Sequence, residues 1–230
     1  MIDVLILAGG FGTRLGKLTK QKPKPMLKIN DKVFLTFIID FLYKHEFKKI
    51  YISAGFKKKV IKNFFYKNDK YNKIKIISES RPLGTGGAVK FFLNKKKNIK
   101  NLIVINGDTF FNFNISRAYQ KFKKIKKSIF VCKEMKDNKR YGGIEIKKNG
   151  EVKKFFSNEK KIKKKILINS GFYFFKKKDL INLEIPSSLE EYLAKSINKY
   201  IFNSYISGAK FIDIGVREDF IRAKKVLKKL

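Results

Sequence analysis

The sequence predicts an α/β chain: a Rossmann-like, doubly wound mixed sheet in front and an antiparallel-rich half behind. Three observations carry this. Strand-length apolar runs alternate with helical patterns as far as Asp108, which favours parallel strands covered on both faces. The first run, Asp3–Leu7, opens directly into a turn holding Gly9, Gly10 and Gly12. Beyond about residue 110, alternating runs joined through Asn149-Gly150 replace that rhythm, and such a dipeptide is a hairpin signal.

The elements follow in order. After the glycine turn, "VFLTFIIDFLYKHEF" sets apolar residues at helical spacing, so Phe34 to about His45 is a core-facing helix. "KKIYISAG" is the second strand, and "FKKKVIKNFF" is a helix with its apolar residues near one side. "IKIIS" is the third strand, followed by a second glycine loop and a helix from about Gly86 to Leu93. "NLIVING" is the fourth strand. Then come the "GGIEIKKNGEVKKFF" hairpin, a long strand in "KILINSGFYFF", a helix in "SLEEYLAKSINKY" and a terminal helix from Arg217 to Leu230. No Pro- or Gly/Ser-rich linker interrupts the 230 residues, enough for one sizeable core, so residues 1–230 read as one domain.

Composition narrows the function. Lysine and arginine number 55 against 19 acids, a formal charge of +36. The lysines are spread from Lys17 to Lys229, and runs such as "KFKKIKK" read as solvated helix faces and loops. With no RRM, KH or zinc-finger signature, the charge reads as composition and no nucleic-acid partner is expected. Its field should still draw in anionic substrates, with strong salt dependence. The apolar runs are far shorter than the ~20 residues of a membrane span, and no secretory signal is visible. No membrane partner is expected, and the oligomeric state stays open, a homodimer included. The lone cysteine, Cys132, permits no internal disulfide and suits a reducing cytoplasm; its apolar strand-like setting reads as a buried, inert thiol. The one histidine, His45, lies near a helix end, which argues against His-dependent hydrolysis.

Strand, glycine turn, then cations is a phosphate-binding arrangement, because glycines let backbone N–H groups approach phosphate oxygens. Two common versions fail. The dinucleotide fingerprint needs a third glycine where Leu15 stands, and the P-loop needs a glycine at Phe11 and a hydroxyl residue at Leu18.

The loop "LAGGFGTRL" (Leu7, Ala8, Gly9, Gly10, Gly12, Thr13 and Arg14 among its residues) with the later Lys24-Pro25 resembles the sugar-1-phosphate nucleotidylyltransferase family. Further motifs agree in order over nearly the whole chain. "PLGTGGA", with Pro82, Gly84 and Thr85, resembles the second nucleotide-binding loop. Asp108 in "NGDTFF" and Asp213 in "FIDIGVREDF" resemble the family's metal ligands, although Val216-Arg217 replaces its Thr-Pro. Gly143, Glu159, Lys160, and Asn169, Gly171 and Tyr173 of "NSGFYFF" resemble its sugar-phosphate contacts. Within the family, "PLGTGGA" and the absence of an appended β-helix domain look most like the branch that transfers GMP to a manno-heptose 1-phosphate.

The resemblance implies a nucleotide-binding half at about 1–110 and a sugar-phosphate-binding half at about 111–230. It implies that an NTP and a sugar 1-phosphate become an NDP-sugar and pyrophosphate, with Mg²⁺ held by Asp108 and Asp213. The attacking phosphate oxygen is already anionic near neutrality, so the reaction needs alignment and charge relief rather than a general base. Arg14 is the candidate for charge on the departing pyrophosphate, Lys24 for the α-phosphate and Lys160 for the sugar phosphate. The base reader should precede the second loop, where Glu79 stands. A carboxylate only accepts hydrogen bonds, and guanine offers two adjacent donors, so the expected nucleotide is GTP.

Overall fold

A computed structural model describes residues 1–136, 141, 143–155 and 166–228. Strand β1 (Asp3–Leu7) leads into the glycine turn, two 3₁₀ turns (Thr13–Thr19 and Lys24–Met26) and a small hairpin, β2 (Lys28–Ile29) with β3 (Lys32–Val33). Helix α1 (Phe34–Tyr43), β4 (Ile50–Ala54), α2 (Lys58–Tyr66), β5 (Ile74–Ser78), α3 (Gly84–Lys95) and β6 (Asn101–Asn106) complete the front half. Behind it come β7 (Thr109–Phe111), α4 (Ile115–Ile125), β8 (Ile129–Met135), β9 (Gly143–Ile146), β10 (Val152–Phe155) and β11 (Ile166–Lys176). Helix α5 (Leu189–Ser196), β12 (Asn203–Ser207), β13 (Phe211–Asp213) and α6 (Arg217–Leu227) end the chain.

The four front strands are parallel and run β5-β4-β1-β6, with Leu7 opposite both Ser53 and Asn106. Beyond β6 the sheet turns antiparallel through β11, which also pairs with β8 and β9. The order therefore reverses beside β1, and in open α/β sheets ligands bind outside the strands' C-terminal ends at such a point. One face of the sheet packs residues such as Ile6, Phe37 and Phe172, the other Leu5, Phe92 and Tyr173, so both layers draw on both halves of the chain.

Sequence and structure agree on the four front strands and differ in detail. α1 stops at Tyr43, and α3 starts earlier, at Gly84. The Asn149-Gly150 hairpin closes with a longer loop than a two-residue turn: Lys147 N donates to Glu151 O at 2.8 Å, and Gly150 has φ +83°. The first five residues of "KFKKIKK" belong to α4, which buries Ile115, Ala118 and Phe122 on one stripe while Lys123 and Lys124 face outward and half-buried Lys121 donates to Ser204 O at 2.6 Å. Its start is capped by Asn114, whose Oδ1 accepts from Arg117 N at 2.9 Å. Cys132 is fully buried, and burial pushes its thiol up to about 12, as an inert core thiol requires.

Candidate active site

The C-terminal edges of β1 and β6 and the two glycine loops enclose a cavity of about 340 Å³, the size of a small-molecule site. The first loop contributes Leu7, Ala8, Gly9, Gly10 and Gly12 to its wall, and the second contributes Glu79, Pro82, Gly84 and Thr85. Lys24 and Asp108 complete it from distant parts of the chain.

The glycines serve different ends. A Cβ on Gly10 would meet nothing within 4 Å, so its backbone stands open toward the cavity. Gly12, at φ +67°, lets Lys24 pass: a Cβ there would lie 3.2 Å from Lys24 Cβ and 3.0 Å from Thr19 Cγ2. In the second loop most of the glycines answer to packing instead. The N–H groups of Gly86 and Gly87 donate to Ser187 O at 2.9 and 3.2 Å. Gly84, at φ +72°, presses on the same carbonyl, and a Cβ would come within 2.9 Å of Ser187 C. Gly84→Ala should therefore destabilise the protein by about 3 kcal/mol, from overpacking against backbone plus a left-handed alanine. That predicts a melting temperature lower by about 6–12 °C. Gly10→Ala should melt at or slightly above the wild-type temperature yet lose nucleotide binding, since its methyl group would occupy ligand space. Equal melting of the two variants in calorimetry would refute this division of labour.

Glu79 is the most enclosed charge carrier of the wall, 5% exposed. Ser53 Oγ donates to its Oε1 at 2.8 Å, the backbone of Leu83 hydrogen-bonds the carboxyl, and Lys58 Nζ donates to its main-chain oxygen at 2.8 Å. Gly9 and Gly55 make the room: a Cβ on Gly9 would lie 2.8 Å from Oε1, and one on Gly55 3.0 Å from Oε2. Burial raises its carboxyl above the usual glutamate range, against the pull of Ser53, Leu83 and Lys58.

Asp108 follows β6 at the cavity's far side, and its Oδ2 accepts from Lys24 Nζ at 2.8 Å, 84 residues away in sequence. β7 and β13 pair so that Asp213 faces Thr109, and Ile214 N donates to Asp108 O at 3.0 Å. The ladder thus brings the two aspartates to neighbouring positions, and Gly215 N–H donates to Asp213 Oδ1. Among the described residues no group of three or more His, Cys, Asp or Glu side chains gathers. Two carboxylates completed by substrate oxygens and water suit a hard divalent cation of the magnesium kind.

Several expectations change. Thr13 and Arg14 are exposed on the 3₁₀ turn after Gly12 and are not part of the cavity wall, because Gly12's left-handed backbone carries the chain outward there. The Thr85 hydroxyl accepts from Leu189 N at 2.8 Å and donates to Glu190 Oε2 at 3.0 Å, so it ties the loop to α5. Tyr173 is fully buried, its hydroxyl accepting from Asn169 Nδ2; it supports Asn169 and cannot itself touch a sugar phosphate. Gly143 heads β9 opposite Ile168, next to Asn169, and Gly171 sits at the irregularity in β11. Glu159 and Lys160 lie outside the described residues.

Sequence reasoning missed Ser53, Gly55 and Asn106. The first two stand in "SAG", read only as the end of the second strand; a small polar residue and a glycine at a strand end were the available signal. It also missed Phe11, half-exposed at the cavity and 5.2 Å from the Phe56 ring.

The family model of the nucleotidyl transferases matches residues 3–229. The D-glycero-alpha-D-manno-heptose 1-phosphate guanylyltransferase of Campylobacter jejuni is 40% identical over 222 residues, 95% of this chain and 97% of its own. The protein of the same name from Aneurinibacillus thermoaerophilus is 34% identical, with 98% of each chain covered. The crystal structure of HddC from Yersinia pseudotuberculosis complexed with GMP-PN superposes with a TM-score of 0.83 at 33% identity, covering 99% of this chain and all of that one. From its first strand to its last helix, this chain belongs to the nucleotidyl transferase family.

Proposed function

We propose that this protein transfers GMP from GTP to D-glycero-α-D-manno-heptose 1-phosphate, releasing pyrophosphate and forming a GDP-sugar for surface polysaccharide. The observation that carries the reading is Glu79: a carboxylate at a cavity wall, held between Gly9 and Gly55 by Ser53 and Leu83, whose further acceptor capacity suits a base with adjacent donors. The names of the 40% and 34% identical relatives support both substrates. The reaction belongs in the cytoplasm, where GTP is held.

The chain's residues divide the work. Gly10 and Gly12 bring backbone to the phosphates, and Lys24 neutralises charge at the α-phosphate. Arg14, exposed just outside the wall, would meet charge on the departing pyrophosphate. Asp108 and Asp213 would hold Mg²⁺, which when bound offsets repulsion between the two phosphate groups. The sugar phosphate would lie toward Asn169 and Gly171, and Lys160 is assigned to it by the sequence resemblance alone. Most of the rate enhancement comes from alignment and preorganised charge.

The test is a matrix of four NTPs against heptose, mannose and glucose 1-phosphates with Mg²⁺, read as pyrophosphate release. GTP with the manno-heptose 1-phosphate should turn over fastest. Preference for UTP or CTP would end the guanine reading, and preference for glucose 1-phosphate the heptose one.

A further inference from the structure

Two further cavities open at the end of the sheet opposite the active site. The first, about 850 Å³, is lined by the starts of β4 and β5 and the turns before them; the second, about 730 Å³, by the start of β6 and the end of β11. β11 runs antiparallel to β6, with Lys176 opposite Asn101, so its end falls beside the start of β6. The order β5-β4-β1-β6-β11 therefore sets both cavities along one edge about 19 Å wide. β1, five residues long, separates that edge from the glycine loops by about 17 Å.

Charge distinguishes this edge from the rest of the chain. Lys48, Lys49, Lys70, Lys73 and Lys75 line the first cavity, all of them exposed. Lys97, Lys100, Lys176, Lys177 and Lys178 line the second. Glu46 is the one carboxylate in either lining among the described residues. Asp40 pairs with Lys70 at 2.8 Å, and Asp3, between the cavities, is only 6% exposed. Elsewhere acids sit among the lysines, as Glu151 does between Lys127 and Lys147. Five lysines in each lining against a single acid exceed the ratio of 55 to 19 in the whole chain, so the edge is richer in cations than composition predicts.

The kind of cation selects the partner. Neither lining holds an arginine, the side chain that reads a phosphate through two parallel hydrogen bonds, so the edge offers diffuse positive charge. Each cavity also carries an apolar surface into solvent: the Tyr43 ring, 36% exposed, in the first and Ile181, 64% exposed, in the second. Clustered lysines with apolar tips among them fit an anionic lipid surface, which spreads its charge over an area and receives such tips between headgroups. Single-stranded nucleic acid calls for a groove with aromatic platforms, and the second cavity has no aromatic residue in its lining. No described helix is long and apolar enough to cross a membrane, and binding at the surface requires none.

We infer that the lysine edge at the starts of β4, β5 and β6 docks the protein on an anionic membrane surface, with the active-site mouth turned away from the bilayer. This departs from the sequence expectation of no membrane partner, which rested on the lack of a spanning run. It does not depend on which nucleotide or sugar the enzyme uses.

The test is sedimentation with vesicles of phosphatidylcholine, alone or mixed with phosphatidylglycerol, at physiological ionic strength. Two quadruple variants of equal net charge are compared with wild type. One carries Lys73→Glu, Lys75→Glu, Lys100→Glu and Lys178→Glu on the edge. The control carries Lys28→Glu, Lys59→Glu, Lys136→Glu and Lys210→Glu, all exposed and outside both cavities. Wild type should bind the anionic vesicles and not the neutral ones. The edge variant should lose about 100-fold in affinity and the control less than about 5-fold. Ile181→Ser should lose about 3-fold with its charge unchanged. Melting within a few degrees of wild type shows that each variant folds, and glutamine at the same positions carries the comparison where glutamate impairs folding. Equal losses in the two quadruple variants would assign the binding to the overall charge of +36 and overturn the inference. So would a wild type that ignores anionic vesicles, or one that binds single-stranded RNA through the edge lysines and leaves the vesicles free. Failure of the GTP or heptose assignment would leave every one of these outcomes unchanged.

Discussion

Asp108→Asn is expected to lower kcat by about 10³-fold, the equivalent of about 4 kcal/mol of lost charge stabilisation, in a protein that still folds. Asparagine keeps the side chain's shape and can still accept from Lys24, so packing around β6 and β7 is preserved. What disappears is a full negative charge 2.8 Å from the Lys24 ammonium and beside Asp213 on the facing strand. Both side chains of the ion pair keep some exposure, 17% for Lys24 and 30% for Asp108, so the pair contributes about 1 kcal/mol or less to stability. Thermal melting should therefore move by only a few degrees. Titration with Mn²⁺ in place of Mg²⁺ gives a readout apart from turnover: divalent-ion affinity should drop in the variant. Lys24→Ala should also slow turnover, and the double variant should lose less than the product of the two single effects, since the residues share one contact. Near-wild-type kcat in Asp108→Asn would remove Asp108 from the chemistry.

The front of the fold was legible because its signals are local. "VLILA" running into glycines, and apolar strands alternating with periodic helices, each report on their own neighbourhood. α4 was hidden because lysines dominate the sequence of a helix whose buried stripe is only Ile115, Ala118 and Phe122. At the site, motif residues with open backbone, such as Gly10 and Gly12, could be read directly. Roles set by tertiary partners could not. Thr85 is committed to Leu189 and Glu190, more than 100 residues away, and the burial of Tyr173 depends on how β11 sits between β6 and β8. Asn106 of the cavity wall went unnoticed for the same reason: what marks it is a buried oxygen without a partner among the described residues and a glycine from another strand.

Glu79→Gln should shift base preference, lowering kcat/KM for GTP by about 10²-fold while raising that for UTP. The carboxylate offers two charged acceptors to guanine's N1–H and N2–H₂, and hydrogen bonds to a charged group contribute about 1.5–3 kcal/mol. Glutamine sets a donor against one of those N–H groups, yet it matches uracil, which offers one donor beside an acceptor carbonyl. The pH dependence provides a second signature. Burial raises the Glu79 carboxyl, so as pH falls through that raised value the acceptor becomes a neutral acid before an ordinary glutamate would. The ratio of kcat/KM for GTP over UTP cancels the titration of the phosphates themselves. It should fall with decreasing pH in wild type and stay flat in Glu79→Gln. Stability runs in the opposite sense. A carboxyl with a raised folded pKa contributes stability that is present below its unfolded pKa and lost as pH rises through the folded one. At neutral pH the empty site thus holds a charge the fold disfavours, and guanine's donors offset it on binding. Glu79→Gln should consequently melt at or above the wild-type temperature near pH 7, with the advantage shrinking toward pH 4. A variant that keeps GTP preference, or a GTP/UTP ratio with the same pH slope in both proteins, would show that another group reads the base.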